Sequence, residues 1–216
     1  MKRTAGKAIK KVFDVSAAAL GGIAAAPVIL GAMAVIHRKS PEDPAIFRQT
    51  RIGSGGKPFT IYKLRTMTNE KDENGELLPD EFRQRSWGEA MRRLNIDELP
   101  QILNILKGEM SLIGPRPLLP HEMAVMTQEE QAERQSMLPG VTGWEAINES
   151  KSDSRRRMAE YDLEYVRNWS LGFDVKILLG TLSMLTGNGR ASDAFRAPKV
   201  KEEEIIRKEE ETLQKK

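Results

Sequence analysis

Two adjacent carboxylates carry the first chemical signal in this chain: Asp97 and Glu98, in Asn95-Ile96-Asp97-Glu98-Leu99-Pro100-Gln101. Proline is tolerated in a helix only within the first turn, and the residue before it is biased away from the α region. The run therefore predicts a helix that starts close to Asp97. Acids placed there face the positive end of the helix dipole, which keeps them ionised and draws phosphate to the same place. A plainer role competes, because Asn95 and Glu98 have the spacing of an ordinary capping box. Cations surround the pair in sequence. Arg92 and Arg93 lie just upstream, and Lys63 and Arg65 alternate on a predicted strand, so they share a face. Arg116 is held in Gly114-Pro115-Arg116-Pro117. Two prolines fix the backbone around one guanidinium and lower the entropy lost when its fork meets a phosphate. Each cation alone reads as a solvated surface charge. Together with the two acids they make a metal-and-diphosphate site plausible. Leu138-Pro139-Gly140-Val141-Thr142-Gly143-Trp144 is a rigid, glycine-punctuated loop, and spacing alone does not choose between a pocket wall and a plain connector.

These residues must be positioned by elements that the hydrophobic pattern locates. Ile46 to Ile52 and Phe59 to Leu64 alternate around Gly53-Ser54-Gly55-Gly56, which predicts a β-hairpin within 46–67. A polar loop follows over 68–80, then helices over 81–93, 97–107, 128–137, 153–169 and 173–186. The last has a broad apolar face of Val175, Leu178, Leu179, Leu182 and Leu185. Residues 199–216 balance lysine and arginine against glutamate and read as a solvated, charged tail.

The N-terminus is different in kind. Lys2, Arg3, Lys7, Lys10 and Lys11 precede an apolar run from Val15 to Ile36, long enough to cross a hydrocarbon core of roughly 30 Å. His37, Arg38 and Lys39 close it. A cleaved signal peptide fits poorly, because the run is long for one. Basic residues at both ends want both ends in the cytoplasm. Pro27, near the middle, is able to bend a helix there. On these residues alone a re-entrant helix and a spanning helix stand level. The rest of the chain is polar, with 30% charged residues, net charge +3 and mean hydropathy −0.48. That weakly basic balance permits anionic partners without calling for nucleic acid. With no cysteine, disulfides and thiolate-bound metals are excluded.

In order along the chain stand Phe13-Asp14, Pro27, Tyr62-Lys63-Leu64-Arg65-Thr66-Met67, Asp97-Glu98-Leu99-Pro100-Gln101, Lys107-Gly108-Glu109-Met110-Ser111-Leu112-Ile113-Gly114-Pro115-Arg116-Pro117, Pro139-Gly140-Val141-Thr142-Gly143-Trp144, and Tyr161-Asp162 with Tyr165-Val166. This series resembles the monotopic phosphoglycosyl transferases, the bacterial sugar transferase family that starts lipid-linked glycan assembly. The resemblance implies an α/β (α+β) fold: a compact, mostly helical catalytic domain with a small β-hairpin, a re-entrant membrane helix bent at Pro27, and interfacial amphipathic helices. It implies that Asp97 is a covalent nucleophile on the β-phosphate of a UDP-sugar, expelling UMP, and that the phospho-sugar then passes to polyprenyl (undecaprenyl) phosphate. Glu98 would be the partner acid, Mg²⁺ the cofactor with Asp97 a ligand, and Lys63, Arg65, Arg92, Arg116 and Thr142 substrate-binding. The site would lie at the cytoplasmic face of the bacterial inner membrane, among lipids, in a protein for which an oligomer is compatible.

Two departures from the family pattern stand out. Ala26 replaces the usual serine before the central proline, removing a hydroxyl that re-satisfies backbone freed by a bend. After Gly143-Trp144 the usual Ala-Gln-Val-Asn-Gly-Arg is Glu145-Ala146-Ile147-Asn148-Glu149-Ser150, which puts the choice of sugar in doubt. The expected organisation is a basic segment and re-entrant helix over 1–39, a catalytic domain over 40–198, and a charged tail over 199–216. The rival is a membrane-tethered binding or scaffold protein that keeps the fold without turnover.

Overall fold

A computed structural model describes residues 2–148, 154–186, 191–192 and 194–196. The expected tail over 199–216, and Glu149 and Ser150 of the altered loop, lie outside the described residues. The elements in chain order are helix α1 (Lys2–Lys39), strands β1 (Ile46–Ile52) and β2 (Pro58–Leu64), helices α2 (Asp80–Arg83), α3 (Ser86–Arg93) and α4 (Ile102–Leu106), strand β3 (Ser111–Ile113), helix α5 (Gln128–Arg134), strand β4 (Gly140–Thr142), and helices α6 (Trp144–Asn148), α7 (Arg155–Asn168) and α8 (Leu171–Thr186). The protein is mixed α/β and mostly helical, as its sequence pattern suggests. The hairpin of β1 and β2 is present, and its turn uses Gly55 and Gly56 at φ 66° and 73°, a region open to glycine at no steric cost.

Several elements differ from expectation. The helix expected over 81–93 is two helices, α2 and α3, separated at Gln84-Arg85. That expected over 97–107 is a 3₁₀ turn, Ile96–Gln101, running into the short α4. The glycine-punctuated loop contains β4, which pairs in parallel with β3, Ser111 opposite Gly140 and Ile113 opposite Thr142. The basic N-terminal segment and the apolar run form one helix, with Pro27 inside it.

The chain divides into two compact units. The first comprises residues 1–14, 50–59 and 108–216. Its core gathers Ile113, Trp144, Ile147, Tyr165, Val166 and Ile177, and Trp144 meets Phe173 edge-on at 4.8 Å. Met123, Met126 and Ala159 form a smaller cluster. α5 starts in a full capping box: Thr127 Oγ1 accepts from Glu130 N at 3.3 Å, and the Glu130 carboxylate accepts from Thr127 N at 3.0 Å. The start of α1 is held here by buried charge. Lys10 Nζ lies 3.0 Å from Asp174 Oδ2, and Asp174 also accepts from Tyr165 OH at 2.6 Å and Trp169 Nε1 at 3.1 Å. Asp14 accepts from Ser111 Oγ at 2.6 Å and Leu112 N at 3.3 Å. Lys10 is therefore a buried tether, beyond its expected role as a flanking charge.

The second unit comprises residues 15–49 and 60–107. Ala32 and Ile36 of α1 pack with Leu64 of β2 and Met91 of α3. Earlier in α1, Leu20 and Ile23 are 71% and 75% exposed. This helix is long and apolar enough to cross a membrane, and little of its apolar stretch is buried within the protein.

Candidate active site

The acid pair belongs to the second unit. Asn95 adopts a left-handed conformation, φ 53° and ψ 22°, and makes no side-chain cap hydrogen bond. Asparagine tolerates this region better than other non-glycine residues. The expected capping box is therefore not formed: Asn95 spends its conformation on turning the chain, and Glu98 turns to a cation. Its Oε1 accepts from Lys63 Nζ at 2.5 Å. Asp97 is 8% exposed. Burial, and next the neighbouring Glu98 charge, push its carboxyl above the ordinary aspartate range, against the opposing pull of Lys63 and Arg92.

Each of these groups is placed by a local feature. Lys63 sits near the end of β2. Asn104, fully buried on α4, joins that helix to β2: its Oδ1 accepts from Tyr62 N at 3.2 Å and its Nδ2 donates to Thr60 O at 2.7 Å. This sets the Asp97 turn, which leads directly into α4, against the strand that carries Lys63. Arg92, in the last turn of α3, donates through Nε to Thr66 Oγ1 at 2.9 Å. Gly88 lets α3 come close, since a Cβ there would stand 1.9 Å from Thr66 O. Lys107 Nζ donates to Tyr62 OH at 2.8 Å and lies 4.4 Å from the ring centroid.

Not every expected residue joins the acids. β2 ends at Leu64, so Arg65 lies beyond it and does not continue the face of Lys63. It donates to Pro44 O at 2.7 Å and Asn69 Oδ1 at 2.6 Å. Arg116 and Thr142 belong to the first unit and have their own setting. Arg116 N donates to both carboxylate oxygens of Asp162 at 3.2 and 3.3 Å, and its carbonyl accepts from Arg134. Arg134 and Asp162, 3% and 2% exposed, pair at 2.6 Å beneath it. The Arg116 side chain is half exposed. It lines a concavity of about 350 Å³ together with Leu118, Glu122, Arg155 and Met158. Thr142 Oγ1 hydrogen-bonds Thr181 Oγ1 at 2.8 Å.

Asn104 and Thr66 escaped the reading of the sequence as site residues. Asn104 left one trace, a lone amide inside the apolar Ile102-Leu103-Asn104-Ile105-Leu106. Buried amides persist where their hydrogen bonds are satisfied.

An acid pair with a cation on one member, in a chain bearing a long, largely exposed apolar helix, suits a membrane-associated enzyme. Comparison with known proteins then gives the family. The bacterial sugar transferase family matches residues 5–188. An uncharacterized sugar transferase, EpsL, of Bacillus subtilis is 47% identical over 174 residues, 81% of this chain and 85% of that protein. A UDP-glucose:undecaprenyl-phosphate glucose-1-phosphate transferase of Caulobacter vibrioides is 42% identical over 188 residues, 82% of this chain and 70% of that protein. A UDP-N-acetylgalactosamine-undecaprenyl-phosphate N-acetylgalactosaminephosphotransferase of Aeromonas hydrophila is 35% identical over 193 residues, 84% of this chain and 44% of that longer protein. The chain belongs to the bacterial sugar transferase family, the polyprenyl-phosphate phosphoglycosyl transferases, and is a transferase.

Proposed function

We propose that this enzyme transfers a phospho-sugar from a UDP-sugar to undecaprenyl phosphate, releasing UMP, as the first membrane step of bacterial glycoconjugate assembly. The observation that carries the mechanism is the Asp97–Glu98 pair, in which Glu98 is tied to Lys63 while Asp97 stands desolvated beside it. A carboxylate freed of water is a competent nucleophile for phosphorus. Its oxygen attacks the β-phosphorus of the donor, the bond from that phosphorus to the bridging oxygen breaks, and UMP leaves with that oxygen. The aspartyl phosphodiester that remains is attacked by a phosphate oxygen of the carrier, which restores the carboxylate and forms a diphosphate-linked lipid. Lys63 and Arg92 offset charge gathering at Asp97, and Arg116 supplies a fork for the donor's phosphates.

Asp97 and Glu98 offer the hard oxygen donors that Mg²⁺ takes in ones and twos, leaving its remaining positions to phosphates and water. A cation would also oppose the burial and like-charge repulsion that act on Asp97. Asp97, with Glu98 beside it, would hold Mg²⁺, which supplies charge neutralisation of the diphosphate when bound.

The proposed setting is the cytoplasmic face of the inner membrane, with α1 entering and leaving on one side. The support is the basic residues on both flanks of its apolar stretch, with Pro27 inside the helix. Leu171, Val175, Leu179, Leu182 and Leu185 of α8 keep a largely exposed apolar stripe suited to the lipid interface.

The test is a half-reaction. Enzyme mixed with Mg²⁺ and a panel of UDP-sugars, without polyprenyl phosphate, should release about one UMP per active site in a burst and gain the mass of the sugar phosphate on a peptide containing Asp97. Asp97→Asn should lose both signals. Turnover with neither burst nor adduct would leave direct transfer, and no UMP from any donor would favour a scaffold that keeps the fold alone.

A further inference from the structure

We infer that Arg134 and Asp162 are positioning residues for Arg116, holding its backbone so that its side chain starts from one fixed place when the donor's phosphates arrive. The inference rests on the proposed reading of Arg116 as a phosphate ligand. Arg116 and both partners lie in the first unit. Asp162, on α7, accepts from the Arg116 N–H through both carboxylate oxygens, at 3.2 and 3.3 Å. Arg134, the last residue of α5, donates through Nη2 to the Arg116 carbonyl. The same arginine reaches Asp162 Oδ2 from Nε at 2.9 Å and from Nη2 at 2.6 Å. The two backbone polar groups of one residue are thus met by the two members of one ion pair.

Arg116 has need of such partners. The proline after it keeps it out of the α region, and it lies in neither helix nor strand, so no regular element satisfies its N–H and carbonyl. The pair that does so is buried, 3% and 2% exposed. Burial raises the Asp162 carboxyl, and Arg134 is the strongest influence against it. Stability alone is a weak reason for such a pair, because hydrophobic residues of similar volume often replace a buried ion pair without loss. Two other ion pairs already tie α5 to α7, Arg156 with Glu130 and Arg167 with Glu133, each at 2.7 Å. These give Arg134 and Asp162 a rigid mount, and neither of them touches Arg116 through the contacts that join the helices. What Arg134 and Asp162 add is a fixed backbone at Arg116. A side chain that starts from a fixed place loses less freedom when its fork closes on a phosphate.

A double-mutant cycle on full-length enzyme in detergent tests the assignment, with UDP and Mg²⁺ as the calorimetric probe and thermal unfolding followed in parallel. Arg134→Lys keeps a positive charge facing Asp162 but loses the planar fork that meets Asp162 and the Arg116 carbonyl together. It should weaken UDP binding roughly tenfold, the scale of one charged hydrogen bond. In an Arg116→Lys background, where the fork to be positioned is already gone, the same change should cost less than about twofold in affinity, because coupled residues are not additive. The fall in unfolding midpoint should be the same in both backgrounds, which separates positioning from stability. Arg134→Met combined with Asp162→Leu removes both charges, a change that often spares stability. It should lose at least as much UDP affinity, and it keeps the test open if Arg134→Lys does not fold. Wild-type UDP affinity in either variant, or affinity losses that multiply in the Arg116→Lys background, would assign the pair to folding alone and overturn the positioning role. An unchanged UDP affinity in Arg116→Lys would remove the phosphate-ligand reading of Arg116 and this inference with it, while leaving the Asp97 half-reaction as a separate result.

Discussion

The ionisation of Asp97 is set by competing neighbours. Burial and Glu98 raise its carboxyl pKa, and Lys63 and Arg92 lower it. An attacking carboxylate must be ionised, so the rate should fall as pH drops through that pKa, giving an acid limb in the kcat/KM profile. Removing Lys63 takes away a charge that favours the ionised form. Lys63→Met should therefore shift the acid limb to higher pH, and Lys63→Arg should restore it. A lowered plateau with an unmoved limb in Lys63→Met would mean that Lys63 acts only on substrate. Arg116→Lys keeps charge but not the planar fork, and should cost roughly 1.5–3 kcal/mol in kcat/KM. Wild-type kcat/KM in that variant would leave Arg116 as a surface charge. The residue types at both places were legible because proline restricts their backbones so strongly. Their partners were not, since Glu98–Lys63 and Arg116–Glu145 are tertiary contacts between residues 35 and 29 positions apart.

Short elements explain what pattern reading loses. β3 and β4 have three residues each, too few to show alternation, and their parallel pairing depends on glycines. An added Cβ would meet Leu138 O at 2.3 Å from Gly114, Gly114 N at 2.1 Å from Gly140, and Gly114 O at 2.2 Å from Gly143. These contacts are with backbone, which cannot swing aside as a side chain does. Gly140→Ala should thus destabilise by about 1–3 kcal/mol or more, read as a lowered denaturation midpoint, and an unchanged midpoint would show that β4 has room to move. The hairpin and α8 were legible, having enough residues to express a period. The helical run at Asp97 begins where the sequence places it, but as a 3₁₀ segment, because Asn95 enters a left-handed turn where a capping asparagine would have started a regular helix. α5 and α7 are joined by Arg156, whose two terminal nitrogens lie 2.7 Å from the Glu130 oxygens. That hydrogen-bonded pairing holds the Glu130 carboxyl below its ordinary range, against the cost of burial. A depressed carboxylate stabilises the fold above its unfolded pKa, and the gain is lost as pH falls through the folded value. The stability gap between wild type and Glu130→Gln should accordingly be open at pH 7 and narrow progressively under acid below about pH 4.5. A gap that persists unchanged in acid would assign the glutamate's role to packing.

The placement of the whole molecule turns on α1, 38 residues that as a straight helix would measure about 57 Å, well beyond a hydrocarbon core of roughly 30 Å. A spanning helix of that length would carry one basic end across the membrane, away from the side that the positive charge prefers. Re-entry keeps both basic ends on one side and leaves exposed apolar residues of the run, among them Leu20, Ile23, Val28 and Leu30, for lipid. Pro27 lies within that run and removes one helical hydrogen bond where a bend would fall. The chain has no cysteine, so single cysteines report without background. Ala5 and Glu42 are both exposed, whereas Ser40 is buried and bonded to Asp43, so the first two are the sites to use. In intact cells a membrane-impermeant thiol reagent should label neither Ala5→Cys nor Glu42→Cys, and permeabilising the inner membrane should make both reactive. Labelling of one of the two in intact cells would establish a spanning helix and end the re-entrant reading, whatever the outcome at Asp97.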